Sequence, residues 1–109
     1  METLIGSELK VLLQATLPGG ISLTDSGVDY SIKFYTDDPS KYVILTKTTD
    51  TNTKLFITSD GPLAIVDTSV MGGGKLVVEA TITVTDLIEG VNVNRSETVR
   101  EITNIKIYE

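Results

Sequence analysis

Lys75-Leu-Val-Val-Glu-Ala-Thr-Ile-Thr-Val-Thr85 is the stretch that decides the fold. Apolar side chains recur in it at every second residue, namely Leu76, Val78, Ala80, Ile82 and Val84. Polar side chains alternate with them from Glu79 to Thr85. Because successive side chains of a strand point to opposite faces, this pattern predicts a strand with one buried face and one solvated face.

Length and composition predict one globular domain, residues 1–109. A chain of 109 residues with 40% hydrophobic and 22% charged residues can bury one core without cross-links or metals. The 15 acidic and 9 basic residues give a net charge of −6, so the overall field repels a phosphate backbone and nucleic-acid binding is not expected. The sequence holds neither cysteine nor histidine, which removes thiolate chemistry and the commonest general base.

The beginning of the chain, Met1 to Glu8, lacks the basic segment and long apolar core of a secretory signal. No apolar run approaches the roughly 20 residues that a membrane-spanning helix needs. We therefore expect a protein that is made and kept in the cytoplasm, or assembled there into something larger, with no membrane partner.

Six other segments have the alternation or the β-prone composition of strands. They are Glu8–Pro18, Val28–Tyr35, Tyr42–Lys47, Leu55–Ile57, Leu63–Val66 and about Arg95–Tyr108. Tyr42–Lys47 is apolar on both faces over Tyr42–Leu45 and is predicted to be central. Residues 1–8 are predicted to be a lead-in, and Thr48–Thr53 a hairpin loop. Asp67 to Ser69 can cap a single helical turn.

About seven strands separated by turn signals, with no convincing longer helix, predict an all-β fold. The expected architecture is an antiparallel two-sheet sandwich, immunoglobulin-like or jelly-roll-like. Asp86–Asn94 has the composition of a loop or of a ribbon tip, and the first half of the last strand is predicted to project from the body together with the end of the Lys75 strand.

Apolar residues on this ribbon are difficult to explain on an isolated monomer. With two residues on the outer face of the last strand they form the predicted interface, which comprises Leu87, Ile88, Val91, Val93, Ile102 and Tyr108. Tyr35, on another outer face, is a further candidate. The alternative is that the ribbon residues fold back over the open end of the sandwich core.

No catalytic, cofactor-binding or metal-binding residue is predicted. Gly72–Lys75 resembles a phosphate-binding loop, but Leu76 and a strand follow it in place of a Ser or Thr and a helix. Glu79 lacks the second carboxylate that a glycosidase needs. Calcium ligation stays open, because aspartates in separate loops can converge, although no alternating Asp run occurs.

Two segments resemble a group of small β-sandwich proteins encoded among the virion genes of phages and prophages of gut Bacteroidetes. They are Ile5-Gly-Ser-Glu-Leu-Lys10 and Asp67-Thr-Ser-Val-Met-Gly-Gly-Gly-Lys-Leu76. The chain is similar, more distantly, to the N-terminal domain of phage baseplate upper proteins. The resemblance implies a projecting ribbon at Asp86–Glu97, and a structural or adaptor role in a virion assembled in the host cytoplasm.

The leading hypothesis is therefore a non-enzymatic virion protein that oligomerises and docks fibre, tail or capsid proteins, without a cofactor. A second hypothesis is a carbohydrate- or surface-binding module, which would need exposed aromatic side chains or a calcium site. The third is a small enzyme, against which the absence of histidine, cysteine and an evident carboxylate pair counts.

Overall fold

A computed structural model describes residues 2–13, 22–23, 25 and 27–108. Within these ranges the chain is mostly β-structure, which confirms the predicted all-β class. The strands are β1 (Glu2–Leu4), β2 (Glu8–Leu12), β3 (Val28–Tyr35), β4 (Tyr42–Thr46), β5 (Leu55–Thr58), β6 (Gly61–Asp67), β7 (Gly74–Ile88) and β8 (Val91–Tyr108). The connections between described strands include an α-helical turn, α1 (Lys47–Asp50), and a 3-10 turn, Thr68–Val70.

The strands form two sheets, as expected for a sandwich-like fold. The larger sheet has the order β1-β8-β7-β3-β4, and the smaller has the order β2-β6-β5. Their pairings are antiparallel except for β1, which runs parallel to β8. A cluster of buried side chains lies between the sheets, and its most completely buried large members are Phe34, Ile32, Leu55, Leu76, Ile82 and Ile107.

β7 occupies the middle of the larger sheet, and its alternation determines which face is buried. Leu76 and Ile82 are fully buried, and Val78 and Val84 nearly so, as predicted. Val77 is the exception, because it is buried on the opposite face. The register between β7 and β8 shifts between Lys75 and Val77, so a local irregularity accompanies this exception.

The prediction that residues 1–8 are only a lead-in is wrong. Glu2 to Leu4 pair in register with Lys106 to Tyr108, and Ile5 N donates to Tyr108 O at 2.7 Å. A strand of three residues shows no readable alternation, and its partner lies at the far end of the sequence. Pairing over that distance cannot be read from local composition.

The prediction that Tyr42–Lys47 is a central strand is also wrong. β4 is an edge strand, paired only with β3 among the described strands. Leu45 faces the core, whereas Tyr42 and Ile44 are exposed on the outer face. Lys33 Nζ lies 4.6 Å from the centre of the Tyr42 ring. The continuous apolar run therefore reflects one buried face and one exposed apolar face.

Thr48–Thr53 is not a hairpin loop, because β4 and β5 belong to different sheets. The segment carries the chain from the larger sheet to the smaller one through the helical turn α1. Thr46 caps this turn by accepting a hydrogen bond from Thr49 N at 3.3 Å. Polar residues that compete for the backbone suit a cap as well as a hairpin, so the composition alone does not separate the two.

Other boundaries are close to the prediction. β2 ends at Leu12, and residues 14–18 of the predicted strand lie outside the described residues. The last strand begins at Val91 rather than near Arg95. Asp67 caps the 3-10 turn as predicted, its carboxylate accepting from Ser69 N at 2.9 Å.

Candidate protein interface

β7 and β8 continue beyond the sandwich as a two-stranded ribbon. The last residue of β7 paired with β3 is Val84, opposite Val28. Beyond it, Thr85 to Asn94 pair with each other, and Thr85 N also donates to Gly27 O at 3.2 Å, so from Asp86 to Val93 no third described strand lies beside the pair. Glu89 and Gly90 join the strands with φ of 48° and 80°, which is the two-residue turn whose twist matches that of an antiparallel pair.

The tip of the ribbon gathers four of the predicted interface residues. Ile88 lies opposite Val91, and Val93 lies opposite Asp86, so these side chains share one face. Leu87 points to the other face, opposite Asn92. Leu87 is 71% exposed and Val91 is 61% exposed. The tip is therefore apolar on both faces, and the described residues do not cover it as the alternative of a folded-back ribbon requires.

An ionic cluster lies where the ribbon leaves the sandwich. Arg95 Nε donates to Asp86 Oδ2 at 2.9 Å, and Nη1 donates to Glu97 Oε1 at 2.7 Å. The hydrogen bond and charge of Asp86 are the main cause of a raised pKa of Arg95. All three residues lie on the inner face of the ribbon, so polar groups end the apolar core at this level.

On the outer face of the ribbon, polar side chains bond across the two strands. At the base of the ribbon Thr85 Oγ1 donates to Asn94 Oδ1 at 3.0 Å. Two residues further into the sheet, where β3 still pairs with β7, the hydroxyls of Thr83 and Ser96 lie 3.3 Å apart. Such cross-strand pairs stabilise an antiparallel ribbon that has no third strand beside it. The ribbon can therefore keep its shape while presenting the apolar tip.

The other two predicted interface residues lie far from the tip. Ile102 is 60% exposed on the outer face of β8, where it lines a shallow hollow with Tyr35, Lys75 and Arg100. It is nine residues from Val93 on the same strand, roughly 30 Å at the usual rise. The six predicted residues thus form a cluster of four and two separate positions.

Tyr108 lies at the end of β8, opposite Leu4 of β1. It is half-buried, and hydrogen bonding to Glu2 raises the pKa of its hydroxyl. Tyr35, the further candidate, is buried, and its hydroxyl donates to Glu79 Oε2 at 3.0 Å. A partner could therefore reach Tyr108 in part, but not the face of Tyr35.

Sequence reasoning missed exposed apolar residues on the sheet edges. Tyr42 and Ile44 project from β4, Phe56 and Ile57 from β5, and Val99 from β8. A consecutive apolar pair in a short strand, such as Phe56-Ile57, necessarily places one side chain on each face. The sequence of β5 therefore indicated an exposed apolar side chain. The exposure of Val99 could not be read from the sequence, because it depends on how far the smaller sheet extends over β8.

The described residues include no group of three or more histidine, cysteine, aspartate or glutamate side chains that could hold a metal ion. A hollow between the sheets, about 230 Å³ in volume, is lined mainly by apolar residues of β2, β3, β7 and β8. The helices in the described ranges are too short or too polar to cross a membrane.

Comparison of the chain with protein-family models, with curated proteins and with solved structures found no match. The functional inference is therefore drawn from the chain itself.

Proposed function

We propose that this chain is a non-enzymatic structural protein of a phage virion. It acts as an oligomerising adaptor or docking module for fibre, tail or capsid proteins, and it joins the particle in the host cytoplasm. One observation supports this above all: the ribbon tip formed by Leu87, Ile88, Val91 and Val93 is exposed and apolar beyond both sheets. The sequence resemblance supplies the link to virions.

Burying the exposed tip against a partner protein should be favourable. Burying an aliphatic side chain of this size stabilises a complex by about 1.5–3 kcal/mol, so even partial burial of four of them is substantial. A ribbon stiffened by cross-strand bonds loses little conformational freedom when it docks. The apolar centre and polar base of the ribbon also match the core-and-rim pattern of protein interfaces.

We further propose that the sandwich is immunoglobulin-like rather than jelly-roll-like. The order β4-β3-β7-β8 corresponds to strands C′-C-F-G of a variable-type immunoglobulin sheet, and β2-β6-β5 corresponds to B-E-D of the facing sheet. An experimental structure that includes residues 14–21 tests this correspondence, because they lie between the strands matched to B and C.

A second candidate function is binding of carbohydrate or another surface. It is favoured by Tyr42, which is exposed beside Lys33 on the same outer face as the hollow that Ile102 lines. An exposed aromatic ring beside polar groups can stack on a sugar. Tyr35, a neighbouring aromatic residue on this face, is buried and cannot stack in that way.

Size-exclusion chromatography with light scattering tests the docking function. The wild type should exceed the monomer mass as concentration rises, and Leu87→Asp with Ile88→Asp should lower the mass of the largest assembly while leaving the circular dichroism spectrum unchanged. Phe56→Asp with Ile57→Asp is the matched control, since it places two charges on exposed apolar positions elsewhere. It should leave the mass unchanged.

Two outcomes would contradict the docking function. The first is a wild type that stays monomeric at every concentration while binding a glycan tightly, which would support the second candidate. The second is unfolding of the tip variant, which would place Leu87 and Ile88 in the core. The virion assignment is tested separately, by immunogold labelling of purified particles and by the genes that flank the coding sequence.

A further inference from the structure

The outer edge of β8 is the longest strand edge without a neighbour among the described strands. β1 covers this edge only from Lys106 to Tyr108, whereas β7 pairs with the other edge of β8 along most of its length. From Val91 to Thr103 the outer edge has no described partner strand. At ~3.4 Å per residue this edge is roughly 40 Å long. Such an edge is a template for another strand.

The charges along this edge have both signs. Arg95 and Arg100 alternate with Glu97 and Glu101, so a second copy running in the opposite direction can place positive beside negative charge. We infer that the β8 edge pairs antiparallel with the β8 edge of a second copy, over Val93–Thr103, about a twofold axis at Thr98. This inference rests on the proposed oligomerising function and adds to the ribbon tip a second surface, at which two copies meet.

The residues opposite each other in this register are compatible. Thr98 faces Thr98, a favourable pairing of hydroxyl side chains, and Glu97 faces Val99. Arg95 faces Glu101 twice, once on each side of the axis. Pairs directly opposite in an antiparallel sheet lie on one face, so a twofold axis perpendicular to the sheet keeps both inner faces on the same side.

Glu101 gains a partner by this pairing. It is exposed and forms no ion pair with the described residues. Arg95 uses Nε and Nη1 to hold Asp86 and Glu97. Because a guanidinium group carries five N–H donors, Nη2 can donate to Glu101 of the second copy.

Neighbouring registers are less favourable. A twofold axis at Glu97 would place Glu97 opposite Glu97 of the second copy. An axis at Val99 would place Glu97 opposite Glu101 of the second copy. An axis at Arg100 places that arginine opposite itself. Like charges directly opposite destabilise a strand pair. An axis at Ser96 avoids this repulsion, but it places Arg95 opposite Glu97, which Arg95 already holds within one copy, and it gives Glu101 no positive partner, so Thr98 is the favoured centre.

The pairing also covers apolar surface that the smaller sheet leaves open. Val99 is on the inner face of β8 but is 45% exposed, at the side of the hollow between β2 and β8. A second copy placed along this edge brings its own β8 beside Val99. Two larger sheets then become one continuous sheet, in which backbone hydrogen bonds replace contacts with water.

Cysteine cross-linking tests the register, because the native chain contains no cysteine. Residues directly opposite in an antiparallel pair have Cα atoms about 4.5–5.5 Å apart, which a disulfide can bridge. Thr98→Cys, on the exposed outer face, should therefore form a covalent dimer under mild oxidation. Ser96→Cys and Arg100→Cys are matched controls. Each of these residues lies roughly 14 Å from the same residue of the second copy, so neither variant should cross-link on its own.

A mixture of Ser96→Cys and Arg100→Cys should cross-link, because these residues are opposite each other in this register. Circular dichroism establishes that each variant is folded. Cross-linking by Ser96→Cys alone or by Arg100→Cys alone, with none by Thr98→Cys, would overturn the register. No cross-link in any folded variant or mixture would overturn pairing through this edge.

The same experiment in the Leu87→Asp, Ile88→Asp background separates this inference from the docking function. Leu87 and Ile88 lie outside Val93–Thr103, so Thr98→Cys should cross-link in this background as in the wild type. If the tip variant loses assembly while Thr98→Cys never cross-links, docking through the tip stands and edge pairing fails. If Thr98→Cys cross-links and the tip substitutions change nothing, edge pairing stands and docking through the tip fails.

Discussion

Arg95 and Asp86 are joined by a 2.9 Å ion pair that spans the two strands at the level where β3 ends. Val84, opposite Arg95, is the last residue of β7 that a third strand supports. Both charged side chains are about one-third exposed, so the pair contributes little to global stability. Its position instead makes it the support for a ribbon that otherwise has only its own cross-strand bonds.

Arg95→Leu should therefore loosen the ribbon without unfolding the protein. We expect faster amide hydrogen exchange from Leu87 to Val93 and an almost unchanged melting temperature, because local opening becomes easier while the core is untouched. Arg100→Leu is the control, since Arg100 forms no ion pair in the described structure. Equal exchange rates in the two variants would show that the ion pair does not hold the ribbon.

Gly61 and Gly74 should differ in their tolerance of alanine. Both have positive φ, of 125° and 127°. An added Cβ at Gly61 would lie 2.6 Å from the backbone oxygen of Leu13, whereas at Gly74 it would lie 2.6 Å from a carboxylate oxygen of Asp37, which can rotate away.

We expect each substitution to lower the free energy of unfolding by about 1–3 kcal/mol, with the larger loss for Gly61→Ala. Gly27→Ala is the control, because nothing lies within 4 Å of the position that its methyl group would take and its φ is not positive. Urea denaturation measures all three variants. A larger loss for Gly74→Ala would mean that Asp37 is held rigidly.

The ammonium group of Lys47 fastens the turn before β3 to the helical turn α1. Its Nζ donates to Val28 O at 2.6 Å, Asp25 O at 2.8 Å and Leu23 O at 3.3 Å. Lys47→Met keeps the aliphatic chain but removes these bonds, so we expect a loss of about 1–3 kcal/mol in unfolding free energy. Lys41→Met, at an exposed position, should change the urea midpoint little, and equal losses in both variants would contradict this role.

The decrease of protein stability at acidic pH should depend in part on Asp67. Hydrogen bonds from the backbone and side chain of Ser69 lower the pKa of this carboxyl. The folded state therefore favours the ionised form, which stabilises the protein above the unfolded pKa of about 3.9 and ceases to do so as pH falls through the lower folded pKa.

Melting temperatures of the wild type and Asp67→Asn, measured from neutral to strongly acidic pH, test this dependence. The wild type should be the more stable near neutrality, and the difference should shrink on the acid side of about pH 4. Asp60→Asn, in the neighbouring turn, is the control. A difference that is constant at all pH values would show that the charge of Asp67 is unimportant.

Ile82→Asp should prevent folding, because it places an unpaired charge in a fully buried position of the central strand. Thr81→Asp changes the adjacent, exposed residue and should leave a native circular dichroism spectrum. A cooperative melt of Ile82→Asp near that of the parent would mean that the buried face of β7 is assigned wrongly.

The central strands β3 and β7 were predictable because the smaller sheet covers one of their faces, and the alternation of β7 records that burial directly. β1 was not predictable, since Thr3 owes its extended conformation to Ile107 rather than to its own sequence. β4 was misassigned because Tyr42 and Ile44 are apolar yet exposed, and composition does not distinguish a covered face from an uncovered one.

The candidate interface was predictable in part for the same reason. Leu87 and Val91 flank the Glu89-Gly90 turn, so their apolar character was out of place in the sequence itself. The open edge of β8 was not foreseen, because an edge is defined by the absence of a neighbouring strand, and Thr103 carries no sign of what lies beside it.

The parallel course of β1 and β8 has a mechanical consequence. Tension applied to Glu2 and Tyr108 would draw these strands past each other along their length. All the backbone bonds between them, with the bond from Ile5 N to Tyr108 O, would then bear the load together instead of opening in succession. The β1–β8 pairing can thus act as a short clamp that transmits a pulling force between Glu2 and Tyr108. The strength of this clamp depends on the parallel direction of the two strands rather than on the identity of their side chains.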